Sequence, residues 1–163
     1  MAKAITNTTQ LDFFLTIRNI LKGNADIARL FKDNNFYEFE PNMDSISFDM
    51  LPYFVISVPN FKTDLLVADH STTLKDIDVT ITMVFGWEYR SKLASDGSKE
   101  DAGKFRQFCN AVIRQIESSE STLEAVGFQN PAIDLIDTGN DIIQGKQALR
   151  AIFTLSGEGY VWR

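Results

Sequence analysis

Residues 76–87 read Asp76-Ile77-Asp78-Val79-Thr80-Ile81-Thr82-Met83-Val84-Phe85-Gly86-Trp87. Ile77, Val79, Ile81, Met83 and Phe85 fall on every second position, with Asp78, Thr80 and Thr82 between them. Successive side chains of a strand point to opposite faces, so this period of two describes a long strand with one face in a core and the other nearer water. The β-branched residues fit the same pleated surface, and a helical period of 3.6 cannot collect these apolar positions on one side. Whatever else the chain does, it builds a sheet around this segment.

Working outward from it, Pro52-Tyr53-Phe54-Val55-Ile56-Ser57-Val58-Pro59 reads as a second strand bracketed by prolines, apolar enough to be buried on both faces. Residues 60–75 read as a polar connection between the two. On the other side, residues 88–104 (EYRSKLASDGSKEDAGK) read as a mobile excursion running into a helix over 104–118. That helix has Phe105, Phe108, Cys109, Val112, Ile113 and Ile116 on one stripe. Near the N-terminus, Thr9 with Asp12 three residues later marks a helix start. Leu11, Phe14, Leu15, Ile17, Ile20 and Leu21 form its apolar stripe, and Gly23-Asn24 ends it. Ala25–Phe31 adds a short second helix with Ile27, Leu30 and Phe31 inward.

After an ambiguous stretch, Leu123–Phe128, residues 132–137 read as a strand and Thr138-Gly139-Asn140-Asp141 as a turn. Residues 142–156 read as the closing strand, with Leu149, Ala151, Phe153 and Leu155 on one face and Arg150, Thr154 and Ser156 on the other. Gly157-Glu158-Gly159 reads as a hinge to an aromatic terminus, Tyr160-Val161-Trp162-Arg163. The expected fold is α+β: one domain over 1–163, a mixed, mostly antiparallel sheet with helices packed on one face, and extended termini at 1–8 and 157–163.

The chain has 163 residues, is 44% hydrophobic and contains 13 Phe, enough for a sizeable core without disulfides. Up to Ile81 it carries seven basic and eleven acidic residues, and beyond it nine and eleven. Neither part is basic, which argues against gripping nucleic acid through many phosphates. The apolar run Leu11–Ile17 is short and broken by Asp12, unlike a signal core or membrane span. The expected address is the cytoplasm or a particle assembled there, with no membrane partner.

A search for catalytic chemistry finds no constellation. The sole histidine, His70, sits between Asp69 and Ser71, and sequence neighbours in one loop cannot converge as a triad requires. One His and one Cys cannot make a structural zinc site. Residues 64–76 lack the alternating acids of a calcium loop. Gly145-Lys146 has the end of a phosphate-binding loop, but the upstream Gly139 is one residue too far and Gln147 stands where Ser or Thr should be. A hairpin turn explains it better. Cys109 lies on an apolar stripe, the place of a buried structural thiol. The expectation is a protein without catalytic residues, cofactor or metal.

This order of elements, from the N-terminal helix through Leu51-Pro52-Tyr53-Phe54-Val55-Ile56, strand 76–87, helix 104–118 and strand 142–156, resembles the tail terminator (tail completion) proteins of long-tailed bacteriophages. The resemblance rests on element order, chain length and texture, since that family has no catalytic motif. It implies a structural virion protein at the neck: a homohexameric ring that caps the tail tube, ends its polymerisation and provides the head-joining surface. The implied partners are copies of itself, the tail-tube protein and a head-completion or connector protein, with DNA passing through unread. Two other readings stay open: another neck or head–tail connector protein, and a small enzyme working through carboxylates.

A closed ring needs two different, complementary patches on each subunit. Arg90, Lys92, Lys99 and Lys104 offer a positive one. Asp33, Glu38, Glu40, Asp44 and Asp49, in a stretch without a basic residue, offer an acidic partner surface or an acidic lumen that repels DNA phosphates. Tyr160, Trp162 and Arg163 are of the residue types that anchor interfaces. The competing reading for each patch is a merely solvated face.

Overall fold

The computed structural model describes residues 10–39, 51–59, 72–86, 92–93, 99–100 and 104–162. In chain order these form α1 (Gln10–Lys22), α2 (Ala25–Leu30), a 3-10 turn (Asp33–Asn35), β1 (Phe36–Tyr37), β2 (Tyr53–Ser57), β3 (Thr72–Gly86), β4 (Lys92–Leu93), β5 (Lys99–Glu100), α3 (Lys104–Glu117), α4 (Glu120–Ala125), β6 (Gln129–Ile143) and β7 (Lys146–Trp162). The main sheet has the order β1-β2-β3-β7-β6. Only the β1–β2 pair is parallel, so the fold is α+β with a mixed, mostly antiparallel sheet.

The alternation in β3 sets the layers. Ile77, Val79, Ile81, Met83 and Phe85 are all buried, and their cross-strand neighbours on β7, among them Leu149, Ala151, Phe153 and Leu155, are buried with them. Phe54 and Ile56 extend this face across β2. Against it pack Phe13, Ile17 and Leu21 of α1, Ile27 of α2, Phe108, Val112 and Ile116 of α3, and Leu123 of α4. All four helices thus cover one face of the sheet. Phe31, just past α2, is the centre of that layer. Its ring lies 4.4 Å from Phe54, 5.4 Å from Phe85 and 6.0 Å from Phe36, at the tilted or edge-on angles aromatic quadrupoles prefer. It gets there because Asn24 caps α2, its side chain accepting from the Asp26 and Ile27 N–H groups at 3.0 and 3.2 Å.

Several boundaries differ from the sequence reading. Thr72–Lys75 belong to β3 and not to a connection, α4 occupies the ambiguous stretch, and a two-stranded β4–β5 hairpin stands in the excursion 88–104. Thr138-Gly139-Asn140-Asp141 is not a turn but the middle of β6. The reversal is the two-residue turn Gln144-Gly145, with φ of 51° and 74°, flanked by the pair Ile143↔Lys146. Positive φ at both central residues is the type I′ requirement, and Gly145 meets it without a Cβ penalty.

The hinge at Gly157-Glu158-Gly159 is also corrected. These residues continue β7, and Gly157 to Trp162 pair with Ile77 to Thr72, so 157–162 is not an extended terminus. Gly157 is there for space. A Cβ on it would meet the Phe128 ring at 2.4 Å, and Phe128 is fully buried with its ring 5.2 Å from that of Phe13. The glycine lets the ring approach the strand closely, which is a common use of glycine inside a sheet.

Gly157→Ala should therefore displace Phe128 and destabilise the fold by about 1–3 kcal/mol, the usual cost of overpacking a filled core. Chemical denaturation of the variant checks this.

Candidate interaction surface

The face of the sheet away from the helices is built from the other half of each alternation. Cross-strand registers lay it out in rows over β2, β3, β7 and β6: Ser57–Thr80–Thr154–Asp134, Val55–Thr82–Ile152–Asp137, and Tyr53–Val84–Arg150–Gly139. Tyr53, Val55, Val84, Ile143 and Ala148 make a small second apolar cluster there, with Tyr37 against Tyr53 edge-on at 5.7 Å. Beside them the surface becomes polar. A shallow cavity of about 320 Å³ lies over the rows, with Ser57, Thr80, Thr82, Asp141 and Arg150 in its lining. Farther along, the Ser156 hydroxyl donates to Asp78 Oδ1 at 2.8 Å.

Arg150 and Gly139 are direct cross-strand partners, and the guanidinium lies beside β6. An added Cβ would stand 3.8 Å from Arg150 Nη2. From that position the guanidinium reaches Asp141 at 3.5 Å on one row and Asp137 at 3.7 Å on the other. The side chain is one-third exposed (32%), and its Nε has no hydrogen-bond partner. These are orienting ion pairs at a surface, worth little stability individually.

Beyond Arg150 lies the sheet edge. Strand β6 has no neighbour on its outer side among the described residues. Its pairing is irregular between Gln129 and Ala132 and again between Leu135 and Asp137. Leu135, Ile136 and Ile142 are exposed, at 39%, 62% and 65%. Asp141 Oδ1 accepts from the Ile142 N–H at 3.1 Å, occupying one donor of the open edge. Bulges, acids and blocked donors are the devices by which edges resist indiscriminate pairing.

The residues singled out from the sequence are placed as follows. Asp33 belongs to an ion cluster instead of a free acidic lining. Lys22 Nζ donates to it, and Arg18 Nε lies 3.8 Å away. The hydrogen bond from Lys22, and the charges of Arg18 and Lys22 behind it, hold its carboxyl below the ordinary 3.8 despite an opposing desolvation effect. Glu38 is half-buried just after β1. Glu40, Asp44, Asp49, Arg90 and Arg163 lie outside the described residues, as do Asp69, His70 and Ser71. Lys92 and Lys99 are in the β4–β5 hairpin, where the register sets Lys92 opposite Glu100, and Lys104 opens α3. Segment 88–104 also contains Glu88, Asp96, Glu100 and Asp101, so its four basic residues are equalled in number by four acids and its net charge is zero. Tyr160 and Trp162 are in β7, opposite Leu74 and Thr72.

Cys109 is buried, and burial pushes its thiol up to about 11, so it is protonated and unreactive at neutral pH. Among the described residues no group of three His, Cys, Asp or Glu side chains is arranged to hold a metal ion, and no helix is long and apolar enough to cross a membrane. The sequence reading placed Arg150 on the outward face but missed its partners, because Gly139 and the two aspartates looked like a turn. No family model matches the chain, and a search of curated proteins finds no significant match.

Two measurements probe these charges. Replacing Arg150 with Met takes the cation from between Asp137 and Asp141. It should lower stability by no more than about 1 kcal/mol, as surface pairs do, measurable by urea unfolding. Asp33 should titrate below 3.8 by NMR and return toward 3.8 in Lys22→Met. Since its folded value is depressed, its contribution to stability is present above the unfolded value and fades as the pH falls through the folded one.

Proposed function

We propose that this chain is a structural subunit of a long-tailed phage, a tail terminator that caps the tail tube as a ring, halts tube polymerisation and presents the surface for head joining. The reading begins from the element order of the sequence. The observation that carries it is the one-sided sheet. Among the described residues, four helices cover one face, while the opposite face sets hydroxyls and charges around a small buried apolar cluster and the long β6 edge exposes Leu135, Ile136 and Ile142. Such a surface suits contact with other proteins: an aliphatic edge rimmed by charge matches the make-up of interfaces.

On this reading the partners are further copies of the chain, the tail-tube protein and a head-side connector, with DNA passing through the ring unread. The ring requires head-to-tail contacts between two different patches on each subunit. Mixing the purified protein with polymerising tail-tube protein tests it directly. Electron micrographs should show tubes capped at one end, and elongation should stop at that end. Tubes that stay uncapped and grow at an unchanged rate would overturn the proposal.

A further inference from the structure

We infer that residues 136–142 of β6 are a self-pairing edge, joining two copies of this chain antiparallel about a dyad at Gly139. The segment reads Ile136-Asp137-Thr138-Gly139-Asn140-Asp141-Ile142, nearly the same in both directions. A two-fold contact is made by one patch with itself, so a self-complementary pattern is what it requires.

Backbone geometry gives the register. A two-residue hairpin turn is flanked by a hydrogen-bonded pair, here Ile143↔Lys146, and such pairs then alternate along an antiparallel ladder. Asp141 and Gly139 therefore turn their N–H and C=O groups toward β7, whereas Thr138, Asn140 and Ile142 turn theirs outward. The Ile142 N–H is taken by Asp141 Oδ1, consistent with that direction. Thr138 and Asn140 remain, both exposed. With Gly139 on the dyad, Thr138 of each copy meets Asn140 of the other, and each pair exchanges both its N–H···O=C bonds. Gly139 then meets itself as a non-hydrogen-bonded pair, the closest approach in a ladder, at a Cα separation of about 4.5 Å.

The side chains follow the same symmetry. Ile136 of each copy comes beside Ile142 of the other, which covers the two most exposed aliphatic residues of the edge. Asp137 stands opposite Asp141 of the second copy, a like-charge pair that is unfavourable alone. Each Arg150, lying over its own Gly139, is then within one row of all four carboxylates. Two guanidiniums among four carboxylates leave a modest excess of negative charge, which keeps the contact selective and weak. The occupant is another copy of this chain because an unrelated strand would bring no second Arg150 into this cluster.

A dyad stops at two copies, so this pairing is separate from any head-to-tail contact of a ring, and it does not rest on the tail reading. Its test uses the isolated protein without tubes. Sedimentation equilibrium up to millimolar concentration should show a monomer–dimer equilibrium, and Ile142→Lys should weaken it by about tenfold or more, as loss of a packed apolar anchor does, with the thermal melt unchanged. Gly139→Cys, where an added side chain has ordinary contact distances, should give a disulfide-linked dimer under mild oxidation, whereas Arg29→Cys on α2 should not. Cys109 is buried and does not compete. A wild type monomeric throughout would overturn the inference. So would a dimer or larger assembly indifferent to Ile142→Lys, or one in which Gly139→Cys does not cross-link.

Discussion

The ladder between β3 and β7 is the constraint on which the rest of the structure depends. It runs without interruption from Thr72↔Trp162 to Gly86↔Ala148. Because it has no bulge, the two alternations stay in phase along its whole length. On the helix side, Ile77, Val79, Ile81, Met83 and Phe85 of β3 therefore each have a buried or small neighbour on β7, and one continuous apolar floor results. Each such side chain contributes about 1.5–3 kcal/mol when fully buried, so a shift of register by one residue would turn the entire floor toward water. Strand β2 extends the floor on one side and β6 on the other. The helices settle on it through their phenylalanines, with Phe31 at the junction of α2, β2 and β3.

Much of this was legible because it is local and periodic. The alternation of β3, the proline-bracketed β2 and the stripe of α3 each declare themselves within a window of a dozen residues. The misread segments share a different property. Gly139 and Gly157 carry the composition of turns and hinges, yet each sits inside a strand: Gly139 opposite Arg150, and Gly157 where a Cβ would collide with the ring of Phe128. Nothing in the residues flanking either glycine announces its partner. Charge pairing is likewise non-local: Asp33 meets Lys22 and Arg18 from α1, a contact that its own acidic stretch does not announce.

The two faces of the sheet differ in make-up. The helix side is almost purely aliphatic and aromatic and supplies cohesion. Among the described residues the other side sets hydroxyls, carboxylates and Arg150 around a small apolar cluster, on the continuous ladder beneath. Groups fixed on strands keep their spacing, and fixed spacing is what recognition by another protein demands. The irregular, acid-studded β6 edge is guarded against arbitrary partners and open only to one that answers its pattern.

The β3–β7 ladder also governs how the chain comes to fold. Its nearest pair joins residue 86 to residue 148, so α3, α4 and β6 must all be made before β3 meets its main neighbour. Contacts so remote along the chain cost loop-closure entropy and slow the search. The β6–β7 hairpin, closed by its tight turn, is the natural early piece, formed in microseconds. Until that hairpin docks, β3 is a naked strip of alternating isoleucine and valine, the kind of segment that chaperones hold during synthesis.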